Sequence, residues 1–76
     1  MNRNILIEMA MSKTVVIFRR WKRITIRDKL GRKLVYTNVA LDDCNVLAKM
    51  CADTGWKLRT STACRETWVR TCKTAT

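Results

Sequence analysis

Ile24-Thr25-Ile26-Arg27-Asp28-Lys29-Leu30-Gly31-Arg32-Lys33-Leu34-Val35-Tyr36-Thr37 reads as two strands joined by a tight turn. Residues 24–27 alternate apolar with polar, the period-2 signal of a half-buried strand. Residues 34–37 have the same strand character, with Val35 breaking strict alternation. Asp28 opens the turn, since a short carboxylate reaches forward to backbone amides. Gly31 closes it, since glycine takes a positive φ at no steric cost. The result is a type I turn with a glycine bulge, a common hairpin connection. If Asp28 faces Arg32, Ile26 opposes Leu34 and Ile24 opposes Tyr36, making one apolar face. The other face sets Arg27 against Lys33, Thr25 against Val35 and Arg23 against Thr37, with Trp21 further out. Like charges directly opposite destabilise a ladder, so the Arg27/Lys33 pair hints that this face meets anions. The plainer reading is that both side chains splay into water.

Charge concentrates around this hairpin. Residues 13–33 hold nine of the sixteen Lys and Arg residues and one acid, Asp28, which leaves +8 of the chain's net +10 there. The stretch is also rich in β-branched and aromatic residues, the composition of a strand rather than of a loose basic tail. Upstream, residues 14–18 (TVVIF) form a compact apolar run that reads as a buried strand. Residues 19–23 (RRWKR) put cations on both sides of any strand, so a bend, bulge or loop is expected there, with Ile24 starting the next strand.

Downstream lies the clearest helix, residues 42–54. Asp42 or Asp43 is the expected N-cap, and either complements the helix dipole. Cys44, Leu47, Ala48 and Cys51 fall at i, i+3, i+4 and i+7 and make one apolar stripe, widened by Met50. Gly55 is a left-handed stop. The helix is net acidic and is expected on the side away from any polyanion. Residues 56–60 alternate again as a strand, with Trp56 and Leu58 inward and Lys57 and Arg59 outward. Residues 67–73 suit a strand by Thr67, Val69 and Thr71, or a helix by Cys64, Trp68 and Cys72. An edge strand is preferred, with the last three residues frayed.

Residues 1–12 form an N-terminal leader or short strand, or a helical turn, ahead of a single basic domain over 13–76. They lack the long apolar region and cleavage site of a signal peptide and are too short to span a bilayer. Met11 would serve as an alternative start. The expected fold is α+β: a small antiparallel β-sheet (β-β-β-α-β-β) with one helix packed on one face. At seventy-six residues the domain is small, and a homodimer or other partner would add stability.

The chain has no His, and its four cysteines (Cys44, Cys51, Cys64, Cys72) contain no CxxC pair. Zinc therefore lacks its usual ligand spacing. Free thiols packed as small hydrophobes come first, a disulfide second and a metal third; reduced thiols suit the cytoplasm. Asp42, Asp43 and Asp53 sit at helix ends, where capping accounts for them. No glycine-rich phosphate loop or nucleophile motif is present. The chain is read as a non-enzyme with no cofactor. What remains is aromatics beside cations: a Trp stacks on an unpaired base while Arg and Lys track phosphates. Trp21 is the stacking candidate, against the alternative of an ordinary core tryptophan; Trp56 and Trp68 are read as core.

The candidate contacts to DNA or RNA are Arg19, Arg20, Trp21, Lys22, Arg23, Arg27, Arg32, Lys33, Lys57 and Arg59. A membrane surface is not the expected partner, since the charge lies on strands and a turn rather than on an amphipathic helix. The leading expectation is thus a small nucleic-acid-binding protein whose basic hairpin contacts phosphates. An acidic host protein is the second partner class. A secreted basic scaffold with paired cysteines is the third reading.

Residues 35–60 (VYTNVALDDCNVLAKMCADTGWKLRT) add a resemblance, carried by Leu41-Asp42-Asp43, Leu47-Ala48 and Gly55-Trp56. The strand, short helix and closing strand resemble those of small coliphage inhibitors of host RNA polymerase. The resemblance implies a compact phage protein in the host cytoplasm that occludes a host machine and inhibits transcription. It transfers no functional residue.

Overall fold

A computed structural model describes residues 3–28 and 30–70. The elements run α1 (Arg3–Ala10), β1 (Ser12–Phe18), a 3-10 turn (Arg19–Trp21), β2 (Arg23–Asp28), β3 (Lys33–Tyr36), α2 (Leu41–Asp53), β4 (Lys57–Ser61) and β5 (Glu66–Val69). The strands form one five-stranded sheet in the order β3-β2-β1-β5-β4, every neighbouring pair antiparallel. The fold is α+β, with helix packed on one sheet face.

The hairpin has the register its turn dictates. Ile24 pairs with Tyr36, Thr25 with Val35, Ile26 with Leu34 and Arg27 with Lys33. The amides of Leu30 and Arg32 donate to Asp28 Oδ1 at 2.9 and 2.8 Å, and Gly31 N–H donates to the Asp28 carbonyl at 3.0 Å. Gly31 takes φ 87°, the left-handed geometry that an L side chain resists.

β1 lies at the centre, which explains its unbroken apolar run. Val15 and Ile17 are fully buried on the helix side with Ile24 and Ile26 of β2, while Thr14, Val16 and Phe18 face the other way and are part-covered by neighbouring strands. α2 connects the two sheet edges, leaving β3 and returning as β4. Its Cys44, Leu47 and Cys51 are fully buried under the sheet. Burying a side chain of Leu size is worth about 1.5–3 kcal/mol, so this stripe holds the helix down.

The ends of α2 divide from expectation. Its N-cap is Ala40, without a side-chain cap, and Asp42 and Asp43 sit in the first turn. They act on the dipole rather than as the cap. At the other end the pattern is as expected. Gly55 has φ 90°, and Trp56 N–H donates back to the Cys51 carbonyl at 3.0 Å, closing a Schellman turn.

Three further points differ from the sequence reading. Residues 3–10 are a two-turn helix, so of the alternatives left open for the N-terminus the helical one holds and the leader and strand do not, and Ile5 and Met9 join the core. A strand forms at 66–69, but β5 is interior, paired with β1 on one side and β4 on the other. Residues 71–76, including the rest of the predicted strand, Cys72 and the expected frayed end, lie outside the described residues. Finally, Trp56 precedes its strand, and Leu58, on the edge strand β4, stays 46% exposed.

Arg70 explains how α1 ends. Its Nη2 donates to the Ala10 carbonyl at 2.9 Å and to the Ser12 carbonyl at 2.7 Å, and its guanidinium lies 4.6 Å from the centre of the Trp56 ring. The last carbonyls of a helix lack intrahelical partners, and a cation there also suits the dipole.

Candidate functional site

The helices cover one side of the sheet and leave the other open. The strand registers arrange the open side in three cross-strand rows. At one end, Lys33, Arg27, Thr14, Val69 and Lys57 line up across all five strands. The middle row is Val35, Thr25, Val16, Thr67 and Thr60, with no charge. At the far end Arg23 pairs with Phe18, and Arg65 lies one step beyond the Ile17–Glu66 pair, on the other side of Phe18. Two cationic rims thus flank an uncharged Val/Thr trough. Arg23 and Arg27 are four residues apart on β2, so the rims are separated by about 13 Å. The hollow between them measures about 310 Å³ and is lined by Val16, Phe18, Arg23, Thr25, Arg27, Lys33, Val35, Arg65 and Thr67.

No acid is among the described residues that line this hollow. Asp42, Asp43 and Asp53 are on α2, and Glu8 is on α1. Glu66 points to the helix side and accepts a fork from Arg19 (Nε to Oε2, 3.1 Å; Nη2 to Oε1, 3.3 Å) and a bond from Trp68 Nε1 at 3.3 Å. Asp28 accepts from Arg32 Nε at 2.8 Å at the turn. Burial pushes the Asp28 carboxyl up, but the bonds from the Arg32 side chain and the Arg32 and Leu30 amides outweigh it and hold the carboxyl below its usual range.

An aromatic step rises at the Arg23 end. The Arg23 guanidinium sits 4.6 Å from the Phe18 ring centre, and its Nε–H is shielded from solvent with no hydrogen-bond partner among the described residues. Phe18 meets Trp21 at 6.1 Å between centroids, tilted by 57°. Trp21 is 57% exposed, whereas Trp56 and Trp68 are buried as expected. The 3-10 turn that presents Trp21 ends at Lys22, whose φ of 54° is unusual for a side chain. Lys22 is held there on both sides: its amide donates to the Arg19 carbonyl at 3.2 Å, and its carbonyl accepts from Val39 N–H at 2.9 Å.

The ten sequence candidates therefore separate. Arg23, Arg27, Lys33 and Lys57 lie on the open face, with Trp21 at its rim and exposed Arg20 and Lys22 beside Trp21. Arg59 is exposed at the β4 irregularity between Leu58 and Thr60. Arg32 is exposed but bound to Asp28, beside a separate hollow lined by Glu8, Met11, Asp28, Leu30 and itself. Arg19 turns inward to Glu66 and also donates to Asn45 Oδ1 of α2.

Six residues of the hollow were not among the candidates, and two of them, Phe18 and Arg65, bring a ring and a charge. Phe18 reads locally as the last residue of a buried run. Arg65 stands alone in a loop, and only the β1–β5 pairing brings it beside Phe18. A local turn fixes Arg65: Thr62 N–H donates to its carbonyl at 2.8 Å, and its own N–H donates to Thr62 Oγ1 at 3.1 Å.

No family model, curated protein or solved structure matches the chain. What the open face can do follows from its own chemistry. Arginine and lysine at two rims, without a competing carboxylate, suit an extended polyanion. Cys44, Cys51 and Cys64 are free, and the two buried thiols offer little reactivity: burial raises Cys51 to about 11 and lifts Cys44 as well. No group of three or more metal-ligating side chains occurs among the described residues, nor any helix long and apolar enough to cross a membrane.

Proposed function

We propose that this protein is a small non-enzymatic nucleic-acid-binding module that contacts phosphates through the open face of its sheet. The observation that carries this reading is the acid-free hollow ringed by Arg23, Arg27, Lys33 and Arg65. Lys57, Arg20 and Lys22 extend the positive field beyond it. The proposed set leaves out Arg19, which the Glu66 carboxylate already neutralises, and Arg32, which closes the turn.

An acidic protein surface is the competing partner, on the pattern of a phage protein that blocks a host machine. Phe18 and Trp21 beside the cations favour nucleic acid, because bases present π-faces and a carboxylate-rich surface does not. Fluorescence anisotropy with labelled 20-nucleotide DNA and RNA, single-stranded and duplex, tests the proposal across 20–200 mM salt. Four to five phosphate contacts give a slope of log K against log salt of roughly −3 to −4. Absence of binding to every oligonucleotide at 20 mM salt overturns it. Retention of a protein partner from nuclease-treated lysate, together with that absence, transfers the face to an acidic protein.

A further inference from the structure

Resting on the nucleic-acid reading of the open face, we infer that its ligand is a single strand, with an unpaired base stacked on the exposed Trp21–Phe18 step.

Three observations converge on this. The first is width. The open face spans five strands, about 19 Å at the usual strand spacing. A major groove is only about 12 Å wide and admits a helix or a two-stranded ribbon. A duplex therefore touches this face by its phosphates alone, with its base edges out of reach. A single strand has no such barrier, because its bases turn freely towards the protein.

The second is the aromatic step. Trp21 is the one tryptophan outside the core, 57% exposed, and its ring contact is to Phe18. Core packing does not account for an indole held in water by a strained turn. The Arg23 guanidinium lies over the Phe18 ring at 4.6 Å and helps to hold that ring in place. A base laid against the exposed Trp21 ring would extend the cluster of Arg23, Phe18 and Trp21, whose two rings meet at a tilt of 57°.

The third is the division of the face into rims and trough. The middle row (Val35, Thr25, Val16, Thr67, Thr60) has methyl groups and hydroxyls but no charge. Phosphates follow the cations of a rim, while sugars and bases meet the neutral row. That separation of charged and uncharged tracks suits a chain whose phosphates and bases lie on opposite sides.

Binding of the full chain to labelled 12-nucleotide oligo(dT) and oligo(U) and to a 12-base-pair duplex, at 100 mM salt, tests the inference. Wild type should bind at least one of the single strands about tenfold or more tighter than the duplex. Trp21→Ala should weaken single-strand binding roughly 5- to 150-fold, the span of one lost base–aromatic stack, with less than a twofold change for the duplex. Trp21→Phe, which retains a ring, should keep most of the affinity. The two arms differ in the sugar 2′-hydroxyl and the base methyl group; tighter binding to either supports the inference. Equal affinity for duplex and single strands, or an unchanged Trp21→Ala, overturns it while leaving the phosphate-binding face intact. Loss of binding to all three probes at low salt overturns the underlying reading as well.

Discussion

Replacing Arg27 by Thr should strengthen the fold and weaken binding at once. Arg27 faces Lys33 directly across the β2–β3 ladder, and Arg23 lies two pairs further along the same face. A like-charged pair in this position costs a few tenths of a kcal/mol to about 1 kcal/mol. Thr also has a favourable strand propensity. Removing the repulsion by about 0.5 kcal/mol raises the melting temperature by roughly 2–4 °C in a domain of this size. The electrostatic part of the gain should largely disappear in 1 M salt, where the screening length shrinks to about 3 Å, leaving only the propensity part. Binding moves the other way. One lost phosphate contact lowers the salt slope by about 0.7 and the affinity about fourfold near 0.15 M salt. Circular-dichroism melts in low and high salt, with anisotropy titrations on the same preparations, measure both effects. A lower melting temperature in low salt, or an unaltered salt slope, would refute the reasoning. In the first case Arg27 is structural, and in the second it meets no phosphate.

Arg19→Met should show the reverse profile. It removes the fork to Glu66 and the bond to Asn45, costing about 1–2 kcal/mol, or roughly 4–16 °C in melting temperature. The salt slope of binding should stay as in wild type, and a slope reduced by a full contact would place Arg19 on the ligand. Asp28→Asn should change the acid limb of stability. The folded Asp28 carboxyl titrates below its ordinary value of 3.8. Its contribution is therefore complete above that value and is lost as pH falls through the lower, folded one. Melting temperatures from pH 6 to pH 2 should fall less steeply for Asp28→Asn than for wild type below about pH 4, and parallel curves would contradict this.

The contrast between Arg27 and Arg19 shows what was legible in the sequence. The hairpin was, because Asp28 and Gly31 act within four residues and the alternation on either side fixes which face is buried. α2 and its glycine stop were legible for the same local reason. α1 was not. Ile5-Leu6-Ile7 has strand composition, and the group that terminates the helix, Arg70, is sixty residues away. The site divides along the same line. Arg23, Arg27 and Lys33 follow from hairpin register alone. Arg65 and Phe18 enter only through the pairing of β1 with β5, and the removal of Arg19 depends on a glutamate forty-seven positions on. Basic residues in one run of sequence look equivalent until the partners of each are known.

The sheet order has one consequence for how the molecule is made. β1 is the middle strand, yet one of its two neighbours is β5, the last strand described. Arg70, just after it, donates its amide to the Lys13 carbonyl at 2.9 Å and clamps the first helix. A nascent chain leaving the ribosome can assemble β1, β2 and β3, but one flank of its central strand stays open until residues 66–70 emerge. Products truncated before that point should expose an unpaired apolar edge and be the species most prone to aggregate or be degraded.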